Sequence, residues 1–311
     1  MVKDVLPRSI RRFRVPPRAA LGGTFLLLVV LGCLFLNAFP RHAPTTISEN
    51  QFQAPSRDYW FGTDVHGRDL FSRTAFGLQI SLVVGLCGAV VSLLIGTVWG
   101  GVAAYVGGWI DGLMMRTVDI LYAMPSIIFV IVVMAAYDGF FRQPVQEALI
   151  WAGWQDAAGG ASMVRLLLLY VSLGAVSWLT VARIVRGEVL SLKERTFVLA
   201  SRVLGASAVR ILIRHILPNI TGVLLVYFTL TIPTIVLYES FLSFLGLGIQ
   251  PPYASLGSLI AEGARQINPI RVYWWMIVFP GAALVLTLLA LNFVGDGLRA
   301  GVNVRDSDRM G

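Results

Sequence analysis

Lysine is almost missing from this 311-residue chain: Lys3 and Lys193 stand against 23 arginines. Neither lysine follows a glycine, since Val2 and Leu192 precede them. A P-loop needs a Gly-Lys pair so that backbone amides and an ammonium cradle phosphate, so the chain is not itself an ATPase of that kind. Cysteine is also scarce. Cys33 and Cys87 both sit inside apolar runs, which excludes a disulfide framework and leaves them as small buried hydrophobes. The three histidines, His42, His66 and His215, are far apart and show no metal-ligand spacing. No Ser/His/Asp arrangement stands out, so enzymatic readings have no motif to rest on. Charged residues make up only 14% of the chain, where a soluble domain carries roughly 25%.

What remains is apolar. Hydrophobic residues are 56% of the chain and mean hydropathy is +0.74. A spanning helix needs about 20 apolar residues, and six runs approach or exceed that: 21–38, 80–104, 113–136, 163–181, 220–244 and 274–294. The expected fold is an all-α polytopic membrane protein with six transmembrane helices. The first run is read as a retained span, because Phe39-Pro40-Arg41 lacks a small-x-small cleavage site. Pro125, Pro233 and Pro280 fall inside spans and are expected to kink them. Gly96 and Gly100 carry the spacing that lets helices approach closely in lipid, although glycine is common in spans in any case.

Six spans place both termini on one side. That side holds 17 of the 25 Lys+Arg residues and the other holds eight. Basic excess marks the cytoplasmic face, so both termini and the 183–218 loop are expected there. Topology therefore accounts for the +8 net charge without nucleic acid, and the basic tail is suited to anionic lipid. The expected organisation is a basic tail over 1–20, a first span and outer loop over 21–75, a main membrane domain over 76–295 and a polar tail over 296–311.

Several single residues stand out. Asp64, His66 and Asp69 cluster in an outer turn, but two carboxylates and one histidine fall short of a closed metal site; Asp69 is suited to capping a helix. Arg116 and Asp119 lie three apart on one helix face and are expected to pair. Arg165 is expected to snorkel to the interface. Tyr137–Ser162 is expected to form an outer loop with a short interfacial helix. Glu239 is the acidic residue deep in a span, at a cost of about 2.5–3.5 kcal/mol on insertion scales. It reads either as a pathway or gate residue or as a hydrogen-bond partner of another helix, with Pro233 permitting a local bend six residues earlier.

The 183–218 loop carries seven of the Lys+Arg residues. Glu194–Leu204 has helix-forming character. Ala206–His215 sets Val209, Ile211, Leu212 and Ile213 against Arg210 and Arg214, an amphipathic pattern. Gly205 supplies the break between the two, and Pro218 suits the first turn of the next span. The expected product is a helix–turn–helix lying under the membrane.

This loop resembles the EAA motif of ABC importer permeases: Glu-Ala-Ala, three residues and Gly, then nine residues and Ile-x-Leu-Pro. Ala200, Gly205, Leu217 and Pro218 match, while Leu199, Ser201 and His215 replace the usual Glu, Ala and Ile. FGTDVHGRDLFSR, RTVDILYAMPS, ARIVRGEVLSLKER, SFLGLGIQPPYASLG and LNFVGDGLR look like the C-type subunit of the dipeptide/oligopeptide/nickel branch, over most of residues 57–299. The resemblance implies a type I importer permease fold in a bacterial inner membrane. It implies pairing with a second permease, two cytoplasmic ATPases that bind ATP and Mg, and an extracytoplasmic binding protein. It also implies that Leu199, Ala200, Ser201, Gly205, Ala206, Ser207, Leu217 and Pro218 couple the chain to an ATPase. The expected activity is import of peptides. A nickel or other small-solute importer of the same family is the alternative. An ion-driven secondary transporter is disfavoured because matched halves and buried ion-pair relays are not evident.

Overall fold

The computed structural model describes residues 16–38, 42–153, 157–250 and 253–310. Of the basic tail expected over 1–20, residues 1–15 lie outside them and Arg18 lies within α1. Among the described residues the regular structure is all helix, with a long loop over 42–69 that holds one isolated bridge between Thr63 and Asp69. The helices are α1 (Pro17–Ala38), α2 (Leu70–Val106), α3 (Gly108–Ala123), α4 (Ser126–Ala136), α5 (Arg142–Trp151) and α6 (Ala157–Lys193). They continue with α7 (Thr196–Val203), α8 (Ala208–Ile211), α9 (Leu217–Phe244), α10 (Leu256–Arg265) and α11 (Trp275–Met310). One π turn (Tyr137–Phe141) joins α4 to α5, and another (Leu212–Ile216) joins α8 to α9.

Five stretches among the described residues are long and apolar enough to cross a membrane: Leu70–Val106, Ser126–Trp151, Val164–Lys193, Ala208–Phe244 and Trp275–Gly301. The apolar part of α1, Pro17–Cys33, is shorter. It lies against α11, where a Cβ on Gly22 would come 2.7 Å from the Ala290 carbonyl oxygen.

The helices differ from the expected spans where polar groups found partners along the chain. α2 begins ten residues before the expected position 80, because Asp69 caps it: its carboxylate accepts from the Ser72 backbone N–H at 3.1 Å and the Ser72 hydroxyl at 2.5 Å. The span expected over 113–136 is interrupted outright. Met124 is extended (φ −81°, ψ 135°) and α4 starts after Pro125. The short helix expected within the outer loop is present as α5, but helix runs from Tyr137 as far as Trp151, earlier than expected. α6 runs twelve residues past the expected end at Val181, since its basic residues are engaged from the side (below). Pro218 stands in the first turn of α9, as expected, but no gap precedes that turn. The chain is continuous from Ala208 to Phe244, and the π turn contains Arg214, whose carbonyl would meet the Pro218 ring in a regular helix.

α2 and α6 are the two longest helices, and small residues set their approach. Gly85, Gly88, Ser92, Gly96 and Gly100 of α2 are buried. A Cβ on Gly85 would lie 2.6 Å from Val236 of α9, and one on Gly96 would lie 2.6 Å from the Val181 Cβ of α6. A Cβ on Gly100 would collide with the Ala182 carbonyl oxygen. From the other side, a Cβ on Gly174 of α6 would reach the Gly88 carbonyl at 2.8 Å. Of the two readings of Gly96 and Gly100, the structure supports close approach.

Gly101 is the natural control, because a Cβ there makes ordinary contact with Leu212 at 3.7 Å. Both glycine-to-alanine changes gain similar helix propensity. Gly100→Ala is expected to lose about 1–3 kcal/mol to overpacking that Gly101→Ala avoids. The check is the thermal midpoint of each variant in detergent; equal midpoints would contradict the seam.

Candidate functional site

Three polar constructions stand out against the apolar body. The first is the hairpin after α6. α7 ends in a paired turn: the Gly205 N–H donates to the Arg202 carbonyl and the Ala206 N–H to the Ser201 carbonyl, each at 3.0 Å. This is the Schellman arrangement, which requires a left-handed residue after the helix. Gly205 supplies it with φ +80°. Ser207 then caps α8, its hydroxyl accepting from the Arg210 N–H at 3.4 Å. Val198, Ile211 and Ile216 anchor the hairpin in a buried cluster with Val181, Val185 and Val189 of α6. The turn itself stands clear, with Val203 88% and Leu204 87% exposed.

The hairpin gathers Leu199, Ala200, Ser201, Gly205, Ala206 and Ser207 around one turn. Leu199 is 44% exposed, and the Ser201 hydroxyl donates back to the Phe197 carbonyl at 2.8 Å. Leu217 and Pro218 are not at the turn. They sit beyond the π turn at the start of α9, with Leu217 packed on the anchoring cluster.

The base of the hairpin is tied to α2 and α3. Lys193 Nζ donates to the Tyr105 carbonyl at 2.8 Å and the Ala104 carbonyl at 3.2 Å, satisfying the end of α2. Arg186 grips Asp111 through two hydrogen bonds of 2.7 Å. The expected Arg116–Asp119 pair is absent. Asp119 instead accepts from Arg183 of α6 at 2.8 Å, and Arg116 is exposed. Sequence spacing ranks neighbours on one helix, whereas here the adjacent helix presents a guanidinium. Arg183 also lies over the Tyr122 ring at 4.2 Å.

The second construction surrounds Glu239, which is fully buried. Its carboxylate accepts from the Ser243 hydroxyl at 2.6 Å and the Ser81 hydroxyl at 2.9 Å, with Ser240 at 3.4 Å. α10 approaches closely here: a Cβ on Gly257 would collide with the Ser240 carbonyl oxygen. Glu239 is therefore an interhelical hydrogen-bond centre joining α2 and α9 beneath the start of α10. Pro233 is buried in α9 and also faces away from the groove described next.

The third is a groove of 320 Å³ between the α3–α4 break, α6 and α9. Tyr122 and Ser126 flank the break and line it, with Ser177 and Thr180 of α6 opposite Thr234 and Tyr238 of α9. Tyr227 and Thr231 extend the same wall.

At the other end of the molecule, buried Asp64 and Arg73 form a charge cluster with half-buried Arg68 and Glu262. Arg73 joins Asp64 and donates to Glu262 at 2.6 and 2.9 Å, while Arg68 donates to Asp64 at 2.6 Å. Burial pushes the Asp64 carboxyl up. The Arg73 charge, the backbone N–H groups of Arg68 and His66, and the Arg68 charge outweigh that and hold it below the usual carboxylate range. Arg165, expected at the interface, is buried instead. It pairs with Asp138 at 2.9 Å and donates to the Leu247 carbonyl at 3.2 Å and to the Gly248 carbonyl.

Long helices packed on glycine, a hydroxyl-lined groove at their mid-length and a helical hairpin projecting from one end fit a membrane permease. Comparison with known proteins narrows the class: residues 92–305 match the binding-protein-dependent transport system inner membrane component family, and the chain belongs to it. It is a multi-pass inner-membrane protein of the type I permease fold. It is 39% identical over 292 residues to the oligopeptide transport system permease protein OppC of Bacillus subtilis, covering 94% of this chain and 87% of that one. It is 39% identical over 284 residues to the dipeptide transport system permease protein DppC of the same organism, covering 91% and 80%. The OppC protein of Escherichia coli K12 is 40% identical over 305 residues, covering 96% and 91%.

Two variants separate structure from pathway. Glu239→Ala strands hydroxyls that now donate to the carboxylate and is expected to cost about 1–3 kcal/mol, with Glu239→Gln milder. Thermal midpoints check this; an unchanged midpoint for Glu239→Ala would remove the structural role. For Asp64, a carboxyl depressed on folding stabilises the fold above its unfolded value of about 3.9. That contribution is lost as pH falls through the lower folded value. The gap between wild type and Asp64→Asn in thermal midpoint should therefore narrow between pH 6 and pH 3, about one unit below that value. A constant gap would contradict the assignment.

Proposed function

We propose that the chain is a permease subunit of an ATP-driven importer of peptides. It lines the pathway together with a second permease and receives solute from an extracytoplasmic binding protein. Partner ATPases bind ATP and Mg²⁺ and hydrolyse the nucleotide, because no Gly-Lys pair exists here. The names of its oligopeptide and dipeptide permease relatives support the substrate class. The excess of basic residues flanking the hairpin supports a cytoplasmic placement for it.

The observation that carries the reading is the hairpin. Val203, Leu204 and Val209 are exposed apolar side chains on a hydrogen-bonded turn, and Arg195, Arg202, Arg210 and Arg214 on the flanking segments are exposed as well. An isolated connector would gain nothing from presenting apolar side chains to water. A hairpin seated in an ATPase groove would bury them. With Leu199 in place of the usual Glu, the contact is made by shape and apolar area, with arginines at the rim.

A Cβ on Gly205 meets nothing within 4 Å, so substitution there acts through backbone strain. Gly205→Ala carries about 1–2 kcal/mol of left-handed strain, and Gly205→Pro cannot adopt the conformation at all. Gly205→Pro is expected to insert normally and lose ATP-driven uptake in proteoliposomes holding the whole importer. Uptake at the wild-type rate would overturn the coupling role.

A further inference from the structure

The hydroxyl groove lies halfway along α6 and α9, at Ser177 and Thr180 of one and Tyr227 to Tyr238 of the other. On α9 its residues are Tyr227, Thr231, Thr234 and Tyr238, spaced four, three and four apart, so they form one stripe on one helix face. The neighbouring Glu239 is turned away into its serine cage.

Hydroxyls at this depth are costly against lipid, because hydrocarbon offers them no partner. Thr231, Thr234 and Ser177 donate to carbonyls of their own helices and keep accepting capacity. The hydroxyls of Tyr122, Ser126, Thr180, Tyr227 and Tyr238 have no hydrogen-bond partner among the described residues. A second observation points the same way. The chain is broken at Met124–Pro125, and non-helical backbone at membrane depth is tolerated where it is buried in protein or lines a cavity. The residues on either side of that break, Tyr122 and Ser126, face the groove.

The lining holds no Asp, Glu, Lys, Arg or His. At the Tyr122 end Arg183 and Asp119 neutralise one another. A wall of neutral donors and acceptors does not sort solutes by the sign of their side chains. It does match the peptide unit, which carries one donor and one acceptor per residue whatever the side chain. The tyrosine rings add contact area that tolerates apolar side chains.

We infer that this groove is the solute-contacting wall of the pathway, and that it engages the peptide main chain through the Thr231, Thr234 and Tyr238 hydroxyls of α9 and Thr180 of α6. The assignment rests on the importer reading above. At 320 Å³ the groove is at the small end for a ligand site of about 300–1,000 Å³. It is one half of an enclosure whose other half belongs to the second permease.

The test uses the complete importer in proteoliposomes, with its binding protein saturated. ATP-driven uptake is measured for Ala-Ala-Ala, Ala-Lys-Ala and Ala-Glu-Ala. The Thr234→Val, Tyr238→Phe double variant keeps volume and removes two hydroxyls. It is expected to lower uptake of all three peptides by the same factor, on the order of tenfold. Thr234→Ser, which restores one hydroxyl in place of Thr234→Val, is expected to recover part of the rate. A loss confined to one charge class, or an undiminished rate, overturns the main-chain contact. Equal impairment of Thr234→Ser and Thr234→Val in assembled complexes overturns it too, because packing would then explain the loss. A wild-type importer that takes up none of the three peptides overturns the peptide reading itself, an outcome distinct from active wild type with unaffected variants.

Discussion

The whole arrangement depends on how closely α2 can approach its neighbours. Lipid is as apolar as leucine, so spans do not associate to hide hydrophobic surface; they associate where backbones fit. α2 offers a glycine or serine at 85, 88, 92, 96 and 100. Its upper part receives Val236 and Ile235 of α9, and its lower part receives Val181 and Ala182 of α6. One helix thus sets the positions of the two others that bear the groove.

Polar groups then lock what packing has placed. Asp64, Arg68, Arg73 and Glu262 bind the loop before α2 to α10. Arg165 binds the start of α6 to Asp138 and to the turn after α9. Asp111, Asp119 and the carbonyls of Ala104 and Tyr105 hold the far end of α6. Arg73, Arg165 and Arg186 each find a carboxylate on a different element, as a low-dielectric setting favours. Glu239 follows the same logic with hydroxyls in place of a cation. The groove differs: its wall is a row of neutral hydroxyls with no charge to pair.

Much of this was legible in the chain itself. Hydropathy located the main apolar stretches, Gly96 and Gly100 marked the α2–α6 contact, and the Gly205 turn was readable from its amphipathic flanks. What could not be read were partners on other helices. Arg116 looked like the mate of Asp119 because it lies three residues away, while the actual mate, Arg183, is 64 residues away. Arg165 looked interfacial because Asp138 and the carbonyls after α9 are invisible to a local window. Span ends were misplaced for the same reason, since lateral caps and ion pairs extend helices past where hydropathy stops. The hydroxyl stripe of Tyr227, Thr231, Thr234 and Tyr238 was readable at helical spacing, but hydroxyls are too mild a polarity to mark themselves within an apolar run.

α2 and α6 each run for 37 residues without a proline. At 1.5 Å per residue each is a rod of about 55 Å. Clamped together along the glycine seam, they make a shaft with no soft joint between Lys193 at one end and Arg165 at the other. Proline falls instead in α9 and α11, and at the gap before α4. Bending is therefore concentrated in the proline-bearing segments, two of which flank the groove, rather than in the glycine seam.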